Sequence, residues 1–263
     1  MPARLEEILS ATRRTLPALQ GKREALERDL QRARRPPPSF RAALLSPSVA
    51  LIAELKRRSP STGSIREDLD PAERASLYAR NGAAALSVLT DGPYFGGSME
   101  DLRTAADNCS LPVLRKDFIL DEVQLLEARA AGASAVLLIV RVLGTARLRP
   151  LLQFSAQLGL DALVEVHTPT ELDQALQSEA DIVGINSRDL DTFRIDVASA
   201  WKLLERVPGD RVAVAESGIG DRMDVTQAAA AGADAVLVGT ALSGSSSPEQ
   251  LLRELSSVAR HGR

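Results

Sequence analysis

Lysine is scarce in this chain: Lys22, Lys56, Lys116 and Lys202 stand among 32 basic residues, and all the others are arginine. Arginine stays protonated at any working pH, whereas a desolvated lysine can exchange its proton. Two of these lysines close short apolar runs, in Glu54-Leu55-Lys56 and in Lys116-Asp117-Phe118. Side-chain alternation along a strand puts Glu54 and Lys56 on one side. Similar polar endings recur along the chain: Glu165 in Leu163-Val164-Glu165-Val166-His167, then Asn186-Ser187-Arg188, Glu216-Ser217-Gly218 and Gly239-Thr240. A lone lysine or glutamate at such a place is ordinarily a surface or ion-paired residue. Recurrence at six run ends is different, because burying so many polar groups together is costly unless they are paired or functional. The chemistry open to such a set is proton transfer. Ser217-Gly218-Ile219-Gly220 and Gly239-Thr240 add a phosphate reading. Glycines let backbone N–H groups approach an anion, and a helix N-terminus adds a favourable dipole.

The elements that must position these residues are regular. Apolar runs occupy residues 49–55, 84–89, 112–114, 135–140, 162–166, 182–185, 212–215 and 235–238. They are continuously apolar, as expected of parallel strands buried on both faces. Between them lie amphipathic stretches with helix punctuation. Asp70-Pro71 supplies an N-cap and a first-turn proline, and Gly82 suits the C-terminal cap. Thr168-Pro169-Thr170-Glu171 and Ser247-Pro248-Glu249-Gln250 read as capping boxes. The segment from Gly132 to Leu138 repeats in the segment from Gly232 to Val238, with a weaker echo at Gly82, which argues for recurring βα units. An α/β fold follows, and eight regular units favour a single (βα)₈ TIM barrel over an open doubly wound sheet. In such a barrel the active site lies at the C-terminal strand ends, where the polar residues fall.

Residues 1–48 read as an N-terminal helical extension packing on the barrel, and residues 49–263 as the catalytic barrel domain. Leu5, Ile8, Leu9, Leu16, Leu19, Leu26 and Leu30 recur at roughly helical spacing until Pro36-Pro37-Pro38 ends the pattern. The Arg-rich stretch Arg28, Arg32, Arg34, Arg35 reads as a solvated helix face.

The whole chain, 263 residues with 44% hydrophobic and 25% charged, is of ordinary globular composition. A net charge of −3 gives no general attraction to nucleic acid. No apolar run is long enough to span a bilayer, and the start, Met1-Pro2-Ala3-Arg4, lacks a signal-peptide pattern, so a cytoplasmic location is expected. The single Cys109 and two histidines, His167 and His261, exclude an internal disulfide and a His- or Cys-rich metal site. His167, Cys109 and Trp201 match no motif and read as structural or surface residues.

Several segments, taken in order, resemble the indole-3-glycerol-phosphate synthase family. They are Ala53-Glu54-Leu55-Lys56-Arg57-Arg58-Ser59-Pro60-Ser61, Ser87–Asp91 with Tyr94–Ser98, Leu114–Ile119, Leu163–Val166, Gly184–Leu190 and Val214–Ile219. The likeness covers essentially the whole chain. It implies a cofactor-free ring closure of 1-(2-carboxyphenylamino)-1-deoxyribulose 5-phosphate, yielding indole-3-glycerol phosphate, carbon dioxide and water. Closing the ring requires protonation of the ketone oxygen as the aromatic carbon attacks, and the resemblance makes Lys116 that acid. It makes Lys56 a substrate anchor; Lys56 and Glu165 are alternative proton donors or acceptors for the dehydration. Glu54 and Glu216 hold the lysines and substrate hydroxyls, and Asn186 and Ser217 orient by hydrogen bonds. It implies an apolar slot for the aromatic ring from Pro60, Phe95, Phe118, Leu137 and Leu190, with Ser59 beside it and Arg188 on the ring or its carboxylate. Gly218, Gly239 and Thr240 remain for the phosphate. The partner implied is a small phosphorylated substrate, with no nucleic acid, membrane, metal, cofactor or obligate protein partner.

Departures from the family pattern are the Arg141 that follows the fourth run and the polar stretch Ser243-Gly244-Ser245-Ser246-Ser247-Pro248; they bear on details of phosphate contact. Other readings are a Schiff-base aldolase with Lys116 as nucleophile, a phosphosugar isomerase on the same barrel, and a non-catalytic barrel that only binds.

Overall fold

The computed structural model describes residues 3–32 and 36–262. Met1, Pro2, Arg34, Arg35 and the side chain of Arg32, which entered the readings of the amino terminus and the Arg-rich face, lie outside the described residues.

Eight parallel strands close on themselves: β1 (Ala50–Leu55), β2 (Ala85–Leu89), β3 (Val113–Lys116), β4 (Ala135–Ile139), β5 (Asp161–Val166), β6 (Ile182–Asn186), β7 (Val212–Glu216) and β8 (Ala235–Val238). Each pairs with its neighbours in sequence, and β1 pairs with β8, so the sheet has no edge. All eight expected strands are present, and helices connect them.

The period of two in a strand divides the residues into two cores. Outward residues such as Leu51, Ala53, Val136, Leu138, Val183, Ala213 and Val236 pack against the helices. Inward residues such as Ala50, Ile52, Leu114, Leu137, Leu163, Ile182, Val212 and Val214 fill the barrel. The division places Glu54 in the inward series, two positions beyond Ile52, as alternation requires.

The repeated segments are structurally equivalent. Gly82, Gly132 and Gly232 each take a positive φ, of 103°, 91° and 98°, just past a helix end. Two residues on from the latter two, Ser134 Oγ accepts from the Val113 N–H and Asp234 Oδ2 from the Ala213 N–H, so each repeat satisfies a backbone donor on an adjacent strand.

The capping readings were met unevenly. Asp70 accepts from the Glu73 N–H as expected. Thr168 accepts from the Glu171 N–H, but the Glu171 carboxylate accepts from the His167 N–H instead of completing a box on Thr168. Ser247 makes no side-chain cap, so the second capping box is absent.

The amino-terminal segment forms helices α1 (Ala3–Gln20) and α2 (Arg23–Arg32) and a short helix, Phe40–Ala43. The Gln20 amide donates to Asp121, which caps the helix after β3. At the opposite end of the strands, the Arg41 N–H donates to Asp161, the first residue of β5. Phe40 and Leu44 are fully buried in the inner core. The segment therefore runs from the C-terminal strand ends to beneath the barrel.

Candidate active site

A cavity of about 480 Å³ opens at the C-terminal strand ends, a volume suited to a small-molecule site. All the residues expected to act in catalysis, substrate binding or phosphate binding line it: Glu54, Lys56, Ser59, Pro60, Phe95, Lys116, Phe118, Leu137, Glu165, Asn186, Arg188, Leu190, Glu216, Ser217, Gly218, Gly239 and Thr240.

The charged floor has two stations. At the first, Lys56 Nζ lies 2.6 Å from Glu54 Oε1. Close approach to this pair explains Gly239, because a Cβ there would collide with the Glu54 carboxylate and press on Lys56 Nζ. At the second, Lys116 Nζ is 3.3 Å from Glu165 Oε2 and 3.6 Å from Glu216 Oε2. Sheet register brings these groups together: Glu165 lies opposite Gly184 across β5 and β6, and Asn186 opposite Glu216 across β6 and β7.

One ammonium faces two buried carboxyl groups, and the charges settle accordingly. Burial alone would lower the Lys116 pKa, but Glu165, Glu216 and Glu54 outweigh it and hold the ammonium above its ordinary value. Burial opposes ionisation of Glu165, yet Lys116, His167 and the Asn186 amide keep its carboxyl below the usual range. Glu216 is pushed up to about 8, first by burial and then by the charge of Glu165, against the attraction of Lys116. The second station therefore favours the ammonium of Lys116 and the carboxylate of Glu165 and opposes ionisation of Glu216.

The apolar wall is built by the loops after β2 and β3. Asp91 caps the short helix Gly92–Phe95, accepting from the Tyr94 and Phe95 N–H groups at 2.7 and 3.2 Å. The Arg58 guanidinium donates to the Gly92 and Pro93 carbonyls at 2.8 and 3.0 Å. These bonds set Phe95 against Phe118, with ring centroids 6.4 Å apart. Phe118 is held in turn: its N–H donates to Asp117, and its carbonyl accepts from the Gln124 amide. Opposite, Arg188 donates to the Phe193 carbonyl at 3.2 Å and to Ser61 Oγ at 3.3 Å. Its N–H is taken by Asn186 Oδ1 at 3.0 Å. Ser59 Oγ accepts from the Thr62 N–H at 3.1 Å and so shapes the hairpin after β1.

The other end of the cavity is lined by backbone after β7 and β8. Ser217 and Gly218 both take positive φ, 65° and 74°, and for serine this is a strained conformation typical of functional turns. Gly218, Ile219, Gly239, Thr240 and Ala241 line this part of the cavity. The Gly220 N–H is engaged by Asp224.

Sequence reasoning missed some lining residues. Leu5 and Ile8 of α1 form part of the wall, as do Asp91, Phe193 and Ile195. The helical periodicity of Leu5, Ile8 and Leu9 signalled a buried face without saying what covered it. His167 is a second omission. It is not a surface residue: its side chain is 6% exposed and sits behind Glu165. Cys109 bonds to local carbonyls, and Trp201 packs on the outer core, both as structural residues do.

Closed parallel barrel and charged strand ends together define a (βα)₈-barrel enzyme whose candidate site lies at the C-terminal strand ends. Two solved structures share this fold, at identities too low to say more. They are 3-hexulose-6-phosphate synthase from Salmonella typhimurium (TM-score 0.62, 16% identical, covering 79% of this chain and 97% of that one) and thiamine phosphate pyrophosphorylase from Pyrococcus furiosus (TM-score 0.59, 17% identical, covering 81% and 95%). The family model for indole-3-glycerol phosphate synthase matches residues 5–255. Proteins of that name are similar along their length. The one from Desulfosudis oleivorans is 45% identical, over 95% of this chain and 94% of its own, and that from Koribacter versatilis is 44% identical, over 97% and 99%. Chlorobium chlorochromatii has one that is 50% identical over 81% and 84%. The chain belongs to the indole-3-glycerol phosphate synthase family.

Proposed function

We propose that this protein is an indole-3-glycerol phosphate synthase. It closes the ring of 1-(2-carboxyphenylamino)-1-deoxyribulose 5-phosphate and releases carbon dioxide and water. The observation that carries this reading is the second station, where the Lys116 ammonium lies 3.3 and 3.6 Å from the buried carboxyl groups of Glu165 and Glu216 in an apolar-walled cavity.

Ring closure forms a bond between the carboxylate-bearing aromatic carbon and the ketone carbon, and the ketone oxygen gains a proton. Lys116 supplies that proton, because its neighbours keep it charged. Loss of carbon dioxide then leaves the electron pair of the broken bond in the benzene ring and restores its aromaticity. Departure of the hydroxyl as water needs a second donor and an acceptor for the ring proton. Glu165 and Lys56 share this step. Glu54 holds Lys56, and Glu216 holds Lys116 and the substrate hydroxyls. Asn186 and Ser217 orient these groups. Lys56 and Arg188 anchor the carboxylate and ring, and Ser59, Pro60, Phe95, Phe118, Leu137 and Leu190 form the aromatic slot. Gly218, Gly239 and Thr240 receive the phosphate. Every group needed is a side chain or backbone group of this chain, so the reading requires no cofactor. In this reading residues 1–48 are an N-terminal helical extension of the catalytic barrel domain, residues 49–263, and the enzyme works in the cytoplasm on a small phosphorylated substrate without an obligate partner. Among the described residues, no helix is long and apolar enough to cross a membrane.

A Schiff-base aldolase needs a neutral lysine. The carboxylates around Lys116 favour the opposite state, which weighs against that alternative. The test is to incubate the protein with the carboxyphenylamino-deoxyribulose phosphate and follow indole fluorescence. A rise in fluorescence, with no adduct trapped by borohydride, is expected. A folded protein that gives no indole signal refutes the reading.

A further inference from the structure

Behind the second station lies a buried group that the reaction above does not use. His167 Nε2 is 3.5 Å from Glu165 Oε1, and neither atom has a hydrogen-bond partner among the described residues. The imidazole is fixed from its other side. Its Nδ1 lies 3.2 Å from Glu171 Oε2, an oxygen that also accepts the His167 backbone N–H at 2.7 Å. We propose that His167 is a positioning residue: it grips Glu165 Oε1 and so keeps Glu165 Oε2 turned toward Lys116, while Glu171 fixes the orientation of the ring.

The protonation pattern follows from the contacts. Glu171 is an acceptor, so Nδ1 carries hydrogen. A neutral ring would then aim the Nε2 lone pair at Glu165 Oε1, which is repulsive when Glu165 is ionised. An imidazolium turns that contact into an ion pair, and closure by a few tenths of an ångström makes it a hydrogen bond. Three charged groups from different elements bear on the ring. Glu165 of β5 and Glu171 of the helix Pro169–Gln177 favour the charged form. Arg141, from the helix after β4, opposes it but is itself paired with Asp189 at 3.3 Å and with Asp191. Burial also opposes the charge, yet the hydrogen bond to Glu171 and the two carboxylates prevail, and the imidazole pKa is raised. The departed capping box is thereby explained: Glu171 leaves Thr168 to serve His167. The idea rests on the proton-transfer role given to Glu165 above.

Two measurements test it separately. The first is NMR titration of the imidazoles, with H167N assigning the signal, since the chain has two histidines. His167 is expected to be protonated on both nitrogens at pH 7, and E165Q and E171Q each to lower its midpoint by about one pH value. The second is the pH profile of turnover. H167N is expected to lower kcat about tenfold or more, leave KM within about twofold, and move the acidic limb set by Glu165 to higher pH. E171Q, which leaves β5 untouched, shows a smaller change in the same direction. A His167 that is neutral at pH 7, or an H167N variant with the wild-type kcat and acidic limb, overturns the proposal. A wild-type protein that fails to turn over the substrate refutes the functional reading instead, while the titration still decides whether the grip exists.

Discussion

The two ends of the barrel interior are built on the same strands and do opposite work. Toward the strand starts the inward positions are Ala50, Ile52, Ala85, Leu114, Ala135, Ile182 and Val212, closed by Phe40 and Leu44. One or two inward positions further along, the residues become Glu54, Lys116, Glu165, Asn186 and Glu216. Burial at the first end removes apolar surface from water, at about 25 cal/mol per Å². Burial at the second desolvates charges, which opposes folding unless they are paired. The lower end thus stabilises a scaffold, and the upper end uses that stability to hold groups in protonation states that water would not support. Glu216, pushed up to about 8, is the clearest instance.

Mutations at the two ends should separate stability from activity. The largest effect on stability is expected below: Phe40→Ala removes a fully buried ring and should cost about 3–5 kcal/mol in urea unfolding. The kcat of the folded fraction should stay near that of the parent. A parallel loss of kcat would show that the apolar lower end and the site are not separable.

At the upper end the sign reverses. The unfolded chain ionises Glu216 near the ordinary value of 4.5, while the folded chain retains its proton up to about 8. Stability contributed by this group is present at low pH and is lost as pH rises through that window. Glu216→Gln should therefore match the parent below pH 4.5 and become progressively more stable than it as pH rises through 8. Chemical denaturation across that range checks this, and a constant difference would contradict the assigned protonation.

The smallest effect is expected at the roof. Ile8→Ala trims the α1 wall of the cavity and should raise KM several-fold, about 1 kcal/mol, with kcat little changed. An unchanged KM would remove α1 from the site.

The difference between the two ends also explains what the sequence revealed. Strands buried on both faces write themselves as continuous apolar runs, so all eight could be read, and a polar residue interrupting such a run stands out. Glu54, Lys116, Glu165 and Glu216 were legible for that reason. Contacts between distant segments leave no such local mark. The Gln20–Asp121 bond joins residues 101 positions apart, and periodicity in α1 announced a buried face but not the cavity it covers. His167 was illegible on other grounds, because its partner two residues away faces the same way only once the strand is known to continue to Val166. Ser247 read as a cap by its spacing alone, but its backbone, at φ −136° and ψ 63°, is not matched by a side-chain bond to the helix.

On the proposed reading, the upper end acts through the partly buried Lys116 ammonium. The most direct measurement is the turnover of Lys116→Met on the carboxyphenylamino-deoxyribulose phosphate, with substrate affinity measured on the same preparation. A fall in kcat of at least about 10³-fold is expected, with affinity largely retained. A folded Lys116→Met protein that forms indole at the parent rate would contradict it.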